Sequence, residues 1–373
     1  MNESRTNICV NNDVTGTANA HALGVPGVAT KLSRVCGNPA ALKKAYFESR
    51  DTRAVGLQAS IEALLLMDRL RFVRTLDIAF HLYASRTFSA ALAAANNLMK
   101  RRMRNGYVSA HTTRVGGLRI YGISQRGVNF LRDHTEHEAK AHRSLKDVKN
   151  PEHRLWANLV VITAEARGLS AMTESEVLTF EHEAGKRMTD NQGKEYVIPE
   201  KLLTVANTRD PGTKKGLTPD ALLQQEDGRV WIEIDTSKRS SQRVADLRQL
   251  VSHLGSTLSD QTRLERVVVF TKERRFYTHI AGVLARKAEE RIELASSYLK
   301  PGTEEGIFDV WYHPSVADDR PGRPAQDFVC GRVQVCMLPD IRGKSEGWYD
   351  QNWLPFAQHE SQIWSPMSSR NVE

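Results

Sequence analysis

The spacing of apolar residues between positions 57 and 134 predicts three helices, a hairpin and a fourth helix. Apolar side chains recur every three or four residues in the helical stretches and alternate more closely in two short strand-like runs. The predicted elements are helices at Leu57–Met67, Thr75–Tyr83 and Thr87–Asn105, strands at Tyr107–Thr113 and Leu118–Ile123, and a helix at Gln125–His134.

Turn and cap residues support these boundaries. Ser85 or Thr87 can cap the start of the third helix, and the pair Asn105-Gly106 is a C-terminal cap signal. Gly116 and Gly117 lie between the two strands, as a tight hairpin requires. The order helix, helix, helix, hairpin, helix is that of a winged helix-turn-helix, and we expect this fold near the N-terminus.

Beyond Pro151 the pattern mixes strands and helices, which predicts an α/β (α+β) domain with a mixed central sheet. A polar stretch at Ala184–Thr218 reads as loose and irregular. The remaining predicted elements are helices at Glu152–Arg167, Ser241–Leu258 and Phe276–Leu294, and strands at Glu176–Glu181, Thr218–Gln224, Arg229–Thr236, Arg266–Thr271 and Phe308–Tyr312.

These patterns divide the chain into four parts. We expect a flexible N-terminal lead over 1–52, a winged helix-turn-helix over 53–140, a mixed-sheet domain over 151–314 and a C-terminal extension over 315–373. Within the extension, the apolar residues from Val329 to Met337 predict a last strand pair. Trp348, Trp353 and Trp364 are expected to pack as an extension with no assigned position.

The net charge, the apolar runs and the cysteines of the chain limit which partners and cellular location we expect. The chain has 373 residues, a formal net charge of +8 and a pI near 9.3, which favours a polyanionic partner. No apolar run is long enough to cross a bilayer, and the first residues lack a secretory signal pattern, so we expect a cytoplasmic protein without a membrane partner. The four cysteines form no CxxC pair, so we expect neither a disulfide framework nor a zinc site.

The third helix and the hairpin carry the candidate DNA-binding residues. No acidic residue occurs from Ala84 to Gln125, whereas cations cluster at the end of the helix and in the hairpin. Cations of this kind contact phosphates, and short polar side chains can read base edges. The candidates are Ser89, Asn96, Asn97, Lys100, Arg101, Arg102, Arg104, Arg114 and Arg119. The alternative is a winged helix used for protein contacts.

A second candidate site lies on two predicted hairpin strands of the later domain. Glu233 and Asp235 are two residues apart and so point to one face of a strand, and Asp220 can reach that face from the neighbouring strand. Converging carboxylates repel unless a cation neutralises them, which predicts Mg²⁺ or Mn²⁺. Glu176 is a possible fourth metal ligand, and Lys238 could orient the attacking group. The alternative is a solvated, acid-rich turn.

Other catalytic motifs are absent or weak. The chain has no GxxxxGK phosphate loop and no GxSxG motif, which argues against an NTPase and a serine hydrolase. Tyr107 and Tyr121 lie in the hairpin, and we interpret them as fold residues rather than nucleophiles. His153, at the start of a predicted helix, could border the carboxylate site.

A family resemblance rests on these motifs. The winged helix followed by Thr-Pro-Asp220 and Ile-Glu233-Ile-Asp235-Thr resembles the replication-relaxation proteins of plasmids and mobile elements, which are similar to the MOBC class of plasmid relaxases. The resemblance covers residues 55–300 and implies a restriction-endonuclease-like core of the PD-(D/E)xK type, with Asp220 and Glu233 at the matching positions. Asp235 stands where the common nuclease motif has lysine, which puts simple hydrolysis in doubt; relaxases of this class are thought to carry a carboxylate there.

The resemblance implies a metal-dependent, site-specific DNA nickase or relaxase that acts in mobilisation or replication. Its partners would be double-stranded DNA at a transfer origin and relaxosome or transfer proteins. Two alternatives remain open at this point: a catalytically inactive winged-helix regulator or relaxosome accessory protein, and an endonuclease subunit of a transposon or defence system. The oligomeric state is open as well.

Overall fold

The N-terminal part of the chain folds as four helices with a two-stranded hairpin before the last helix. The computed structural model describes residues 52–113, 117–141, 151–207, 209–210, 212–225, 228–237, 239–289, 297–312, 327–339 and 354–355. The elements of this part are α1 (Thr52–Leu70), α2 (Thr75–Tyr83), α3 (Phe88–Arg104), β1 (Val108–Thr112), β2 (Arg119–Ile123) and α4 (Gln125–His134). The predicted order is confirmed, and α2 and α4 have the predicted bounds.

A backbone pairing ties the segment between α1 and α2 to the hairpin. Val73 and Tyr121 exchange two backbone hydrogen bonds, with N–O distances of 2.9 and 2.8 Å. Val73 thus adds a one-residue third strand beside β2. Both residues are buried in the core shared by α1, α2 and α3, so the hairpin is anchored to the helices through backbone and side chains alike.

The later part of the chain is built on a seven-stranded mixed sheet. Its strands are β3 (Ser170–Thr173), β8 (Ala221–Gln224), β9 (Arg229–Asp235), β10 (Leu264–Thr271), β11 (Ser297–Pro301), β12 (Ile307–Tyr312) and β13 (Phe328–Met337). Across the sheet they follow the order β11-β12-β13-β10-β9-β8-β3. Strands β9, β10 and β13 are parallel, and the other neighbouring pairs are antiparallel.

Helices cover both faces of the sheet. On one face α5 (Pro151–Ala166) packs against alternate residues of the central strands, including Ile232 and Phe270. On the other face α7 (Ser241–Ser252) and α8 (Arg274–Glu289) pack against Trp231 and its neighbours. The central strands are buried on both sides, as expected for parallel strands between two helical layers.

The predicted strand at Glu176–Glu181 is wrong, because this stretch lies within a helix, α6 (Glu174–Glu183). Its start is a reciprocal capping box: the Thr173 hydroxyl accepts from the Glu176 N–H, and the Glu176 carboxylate accepts from the Thr173 N–H. The Thr-x-x-Glu spacing was present in the sequence and outweighs the short apolar run.

The stretch predicted to be irregular, Ala184–Thr218, contains two short hairpins. They are formed by β4 (Lys186–Thr189) with β5 (Glu195–Ile198), and by β6 (Leu203–Ala206) with β7 (Lys214–Leu217). Most of their positions are exposed, so little apolar alternation marks them in the sequence.

Other boundaries also differ from the prediction. Helix α7 ends at Ser252, although Leu254 and Leu258 remain in the core. The strand pair predicted between Val329 and Met337 is in fact one strand, β13. The edge strands β3 and β11 were not predicted, and both are short.

Helix α5 joins the two parts of the chain. Its Ile162 lies in the core of the N-terminal helices, and its Leu155 packs with Phe72 and Ile120 of the N-terminal part. The Asn158 amide donates to the carbonyls of Leu70 and Phe72 at 3.3 and 3.0 Å. One helix therefore belongs to both cores.

Several predictions lie outside the described residues. These are the lead over 1–51, Arg114, Lys238, Cys9, Cys36, Trp348, Trp353 and Trp364. Of the C-terminal extension, residues 327–339, which contain β13, and residues 354–355 are described. Leu354 is buried beside α5, and its carbonyl accepts from Arg167 at 3.1 Å. Among the helices of the described ranges, none has the length and apolar character needed to span a bilayer.

Candidate functional site

The carboxylates Asp220 and Glu233 lie on neighbouring antiparallel strands. Asp220 is the residue before β8, whose first residue Ala221 pairs with Ile232 of β9, and Glu233 follows Ile232. The Asp220 backbone N–H donates to the Ile232 carbonyl at 3.0 Å, and its carboxylate accepts from the Ile234 N–H at 2.7 Å. Asp220 therefore also closes the end of the strand ladder, which is a structural role.

Asp235, the third predicted carboxylate, is bound by two arginines. Its side chain is fully buried and accepts hydrogen bonds from Arg239 and, at 2.8 Å, from Arg243. Arg239 also donates to Glu233 at 3.0 Å, and its own side chain is only 3% exposed. A single guanidinium thus bridges Glu233 and Asp235.

This arrangement does not fit a divalent ion held jointly by Asp220, Glu233 and Asp235. Converging carboxylates need a compensating cation, and Arg239 and Arg243 supply that positive charge. Within the described ranges, no group of three or more histidine, cysteine, aspartate or glutamate side chains is placed to hold a metal ion.

The other predicted ligand, Glu176, has different partners. Its carboxylate binds Arg69, with Nε–Oε1 at 2.7 Å, and caps the first turn of α6. None of its contacts is with Asp220, Glu233 or Asp235. Sequence reasoning missed Arg239 and Arg243. The only signal was their position four and eight residues after Asp235, where a helix following the strand can fold its first turn back over it.

His153 borders the carboxylates. Its Nε2 lies 3.1 Å from Asp220 Oδ2. Burial disfavours the protonated imidazole, but the hydrogen bond and charge of Asp220 outweigh burial and raise the pKa of His153. The pKa of Glu233 is raised as well, first by burial and then by the charge of Asp220. The charge of Asp220 thus raises the pKa of both neighbours, His153 and Glu233.

A small cavity adjoins this cluster. It has a volume near 130 Å³ and is lined by Glu233, Arg239, Arg243 and Asp246 together with apolar residues of β7 and α7. Ligand pockets commonly measure roughly 300–1,000 Å³. The cavity can hold a few water molecules but is too small for a nucleotide.

The second candidate surface is the outer face of α3. Exposed residues follow one another at helical spacing along its whole length, namely Ser89, Ala90, Ala93, Asn97, Lys100, Arg101 and Arg104. The predicted residues Asn96 and Arg102 are half-buried at the edge of this face, and Arg119 is exposed on β2. Thr87 is the N-cap and Asn105 the C-cap of α3, so the helix is one residue shorter at each end than predicted, and Gly106 follows with a φ of +71°.

Within the described residues, the cations of this surface have no carboxylate partners. Lys100, Arg101, Arg102, Arg104 and Arg119 form no ion pair with any residue that the structure describes. Arg119 instead lies over the ring of buried Tyr121, with 5.5 Å from Cζ to the ring centroid. The positive charge of the surface is therefore available to an external anion.

None of the protein-family models, curated proteins or solved structures compared with the chain matches it. Function is inferred here from geometry and chemistry.

Proposed function

We propose that this protein binds double-stranded DNA through a winged helix-turn-helix made of α1 to α4 and the β1–β2 hairpin, and that it acts as a regulator or accessory protein. The order of elements and the third-strand pairing of Val73 with Tyr121 support this fold. In such folds the helix that precedes the hairpin enters the major groove, and here that helix is α3.

The observation that carries the proposal is the continuous, acid-free exposed face of α3. Small residues, Ser89, Ala90 and Ala93, occupy its first half, so a duplex can approach the helix closely there. Cations occupy its last turns, where they can reach the phosphates that flank the groove. Asn97 lies between the two regions and can bond to a base edge.

Salt dependence of binding tests this surface. A labelled mixed-sequence duplex would be titrated with the full-length protein at several salt concentrations. We expect the variant K100A/R101A/R104A to lower the slope of log affinity against log salt by about three units, one for each lost phosphate contact. The control K186A/R187A/K194A removes three exposed cations of the β4–β5 hairpin region and should keep the slope.

Sequence readout by Asn97 is a separate expectation. On a duplex selected by the protein from a random library, Asn97→Ala should lower discrimination against single-base changes by about 1–3 kcal/mol at one position and leave the salt slope unchanged. Equal salt slopes for the wild type and the K100A/R101A/R104A variant would contradict the proposed surface.

DNA nicking is the second candidate function, and one observation favours it: Asp220 lies close enough to Glu233 that its charge, after burial, raises the pKa of the Glu233 carboxyl. Supercoiled plasmid carrying the selected site would be incubated with protein and Mg²⁺ or Mn²⁺. Relaxation that is lost in Asp220→Ala and Glu233→Ala would establish nicking. Intact plasmid with retained specific binding would favour the regulator.

A further inference from the structure

The ring of Tyr107, at the junction between α3 and β1, carries two arginines. The guanidinium of Arg102, from the last turn of α3, lies 5.9 Å from the ring centroid, and that of Arg126, from the first turn of α4, lies 5.7 Å from it. Helices α3 and α4 thus each contribute one cation to the same aromatic ring.

The backbone around this ring is held tightly. The Ser124 N–H donates to the Tyr107 carbonyl at 3.1 Å, and the Ser124 hydroxyl donates to the Gly106 carbonyl at 2.6 Å. A Cβ at Gly127 would lie 2.3 Å from the Tyr107 carbonyl oxygen, so only glycine allows α4 to approach this closely. The positions of Arg102 and Arg126 are therefore set by the fold and not by a flexible loop.

The aromatic contacts continue along α4. Tyr107 and Phe130 have ring centroids 4.6 Å apart, and the Phe130 and His134 rings stack at 4.2 Å. Arg126, Phe130 and His134 are spaced by four residues and share one face of the helix. This face is continuous with the end of α3 through Tyr107.

Each of the two guanidinium groups has the chemistry that suits a phosphate. A guanidinium that lies over a ring keeps its in-plane N–H groups available, and these suit the oxygens of a phosphodiester. Neither Arg102 nor Arg126 forms an ion pair within the described parts of the chain. Arg101 and Arg104 neighbour Arg102 on α3, so the pair extends a surface that is already positive.

We propose that Arg102 and Arg126, which both lie over the ring of Tyr107, form a phosphate-contacting pair that extends the DNA interface from α3 onto α4. The inference rests on the proposed DNA-binding function and adds its backbone contacts beyond α3. Arg126 and Tyr107 are assigned to the interface here, with Tyr107 as a positioning residue.

The test compares single arginine variants in the same salt titration with the labelled mixed-sequence duplex. Arg102→Gln and Arg126→Gln should each lower the salt slope by about one unit. The matched control is Arg132→Gln, since Arg132 is exposed on the same helix but bonds to Asn129 and lies over no described ring. This control should keep the wild-type slope.

The role of the ring is tested separately. Tyr107→Phe keeps the ring and should bind DNA like the wild type. Tyr107→Leu should weaken binding about two- to fivefold with little change in slope, since both cations remain but are no longer held in place. Arg126→Gln should then lower the affinity less in the Tyr107→Leu variant than it does in the wild-type protein. Thermal melts of each variant separate these effects from unfolding.

The possible failures are distinguishable. If Arg126→Gln matches Arg132→Gln while K100A/R101A/R104A loses slope, the α3 surface stands and the Tyr107 pair is overturned. If the wild-type protein binds no duplex at any salt concentration tested, both proposals fall. Equal binding by the Tyr107→Phe and Tyr107→Leu variants would remove the positioning role.

Discussion

At the scale of single residues, Arg239 supplies the positive charge that compensates the buried carboxylates. It is almost fully buried and bridges Glu233 and Asp235, so a cluster that looks like a metal site in sequence is an ionic network in the fold. Removing one member of a buried ion pair leaves an uncompensated charge, which is costly.

Arg239→Met should therefore lower the free energy of unfolding by about 3 kcal/mol in urea titrations. Arg243→Met is the control: Arg243 is 40% exposed, and its loss should cost less than about 1 kcal/mol. The double variant R239M/D235N should recover part of the loss. Two results together would favour a metal site at Asp235: an Arg239→Met variant as stable as the wild type, and a wild-type protein that Mg²⁺ stabilises against urea.

His81, on α2, links stability to pH. Burial, with a smaller contribution from the charge of Arg69, lowers the pKa of His81 to about 4. The unfolded chain then binds a proton more readily than the folded chain between pH 6.5 and 4, so stability is present above the unfolded pKa and is lost as the pH falls through this window.

The wild type should lose up to about 3 kcal/mol of His81-linked stability between pH 7 and 4. His81→Gln should show a correspondingly shallower dependence in urea unfolding at a series of pH values. Parallel curves for the two proteins would show that His81 does not carry this part of the pH dependence.

At the scale of elements, the contact between α4 and the end of α3 requires a residue without a side chain. A Cβ on Gly127 would meet the Tyr107 carbonyl oxygen at 2.3 Å and the Ile123 side chain at 2.9 Å. Backbone atoms cannot move aside as a flexible side chain does, so added volume here must shift a whole element.

Gly127→Ala should lower the free energy of unfolding by about 2 kcal/mol, measured by chemical denaturation. Gly56→Ala makes the same chemical change inside α1, where nothing lies within 4 Å of the new Cβ. That control should stabilise the protein by about 0.5–1 kcal/mol through helix propensity. A stable Gly127→Ala protein would show that α4 can retract from Tyr107 at little cost.

At the scale of the whole molecule, a buried network joins the N-terminal helices to the sheet. Arg69, at the end of α1, binds Glu165 of α5 at 2.6 Å, Glu176 of α6 at 2.7 Å and the Ala171 carbonyl at 2.9 Å. The same arginine therefore contacts α5, α6 and β3, and it reinforces the core that α5 shares between the two parts.

Arg69→Met should destabilise the protein by about 2–4 kcal/mol, since it removes the cation that two partly buried carboxylates share. Hydrogen exchange should rise first in α1 and α2 and remain low in β9 and β10. Arg154→Met removes the more exposed pair with Glu174 and should cost under about 1 kcal/mol. Uniform exchange throughout the Arg69→Met protein would mean that the two parts unfold together without this contact.

Much of the fold was predictable from the sequence alone. Periodicity and caps placed α2, α3 and α4, and the apolar runs marked β9 and β10, because these signals arise from neighbours a few residues apart. The acid-free face of α3 is likewise visible in sequence, because one helix presents it entirely. Helix α6 was missed although its capping box was present, since a short apolar run was given more weight.

Tertiary structure alone decided the partners of the charged groups. Arg239 compensates Asp235, Arg69 binds Glu176, and Arg126 joins Arg102 at Tyr107 only because strand register and helix packing bring these side chains together. The sequence determines which residues share a face of one element. Which charges pair between elements depends on how the elements pack, and a local sequence pattern does not predict that packing.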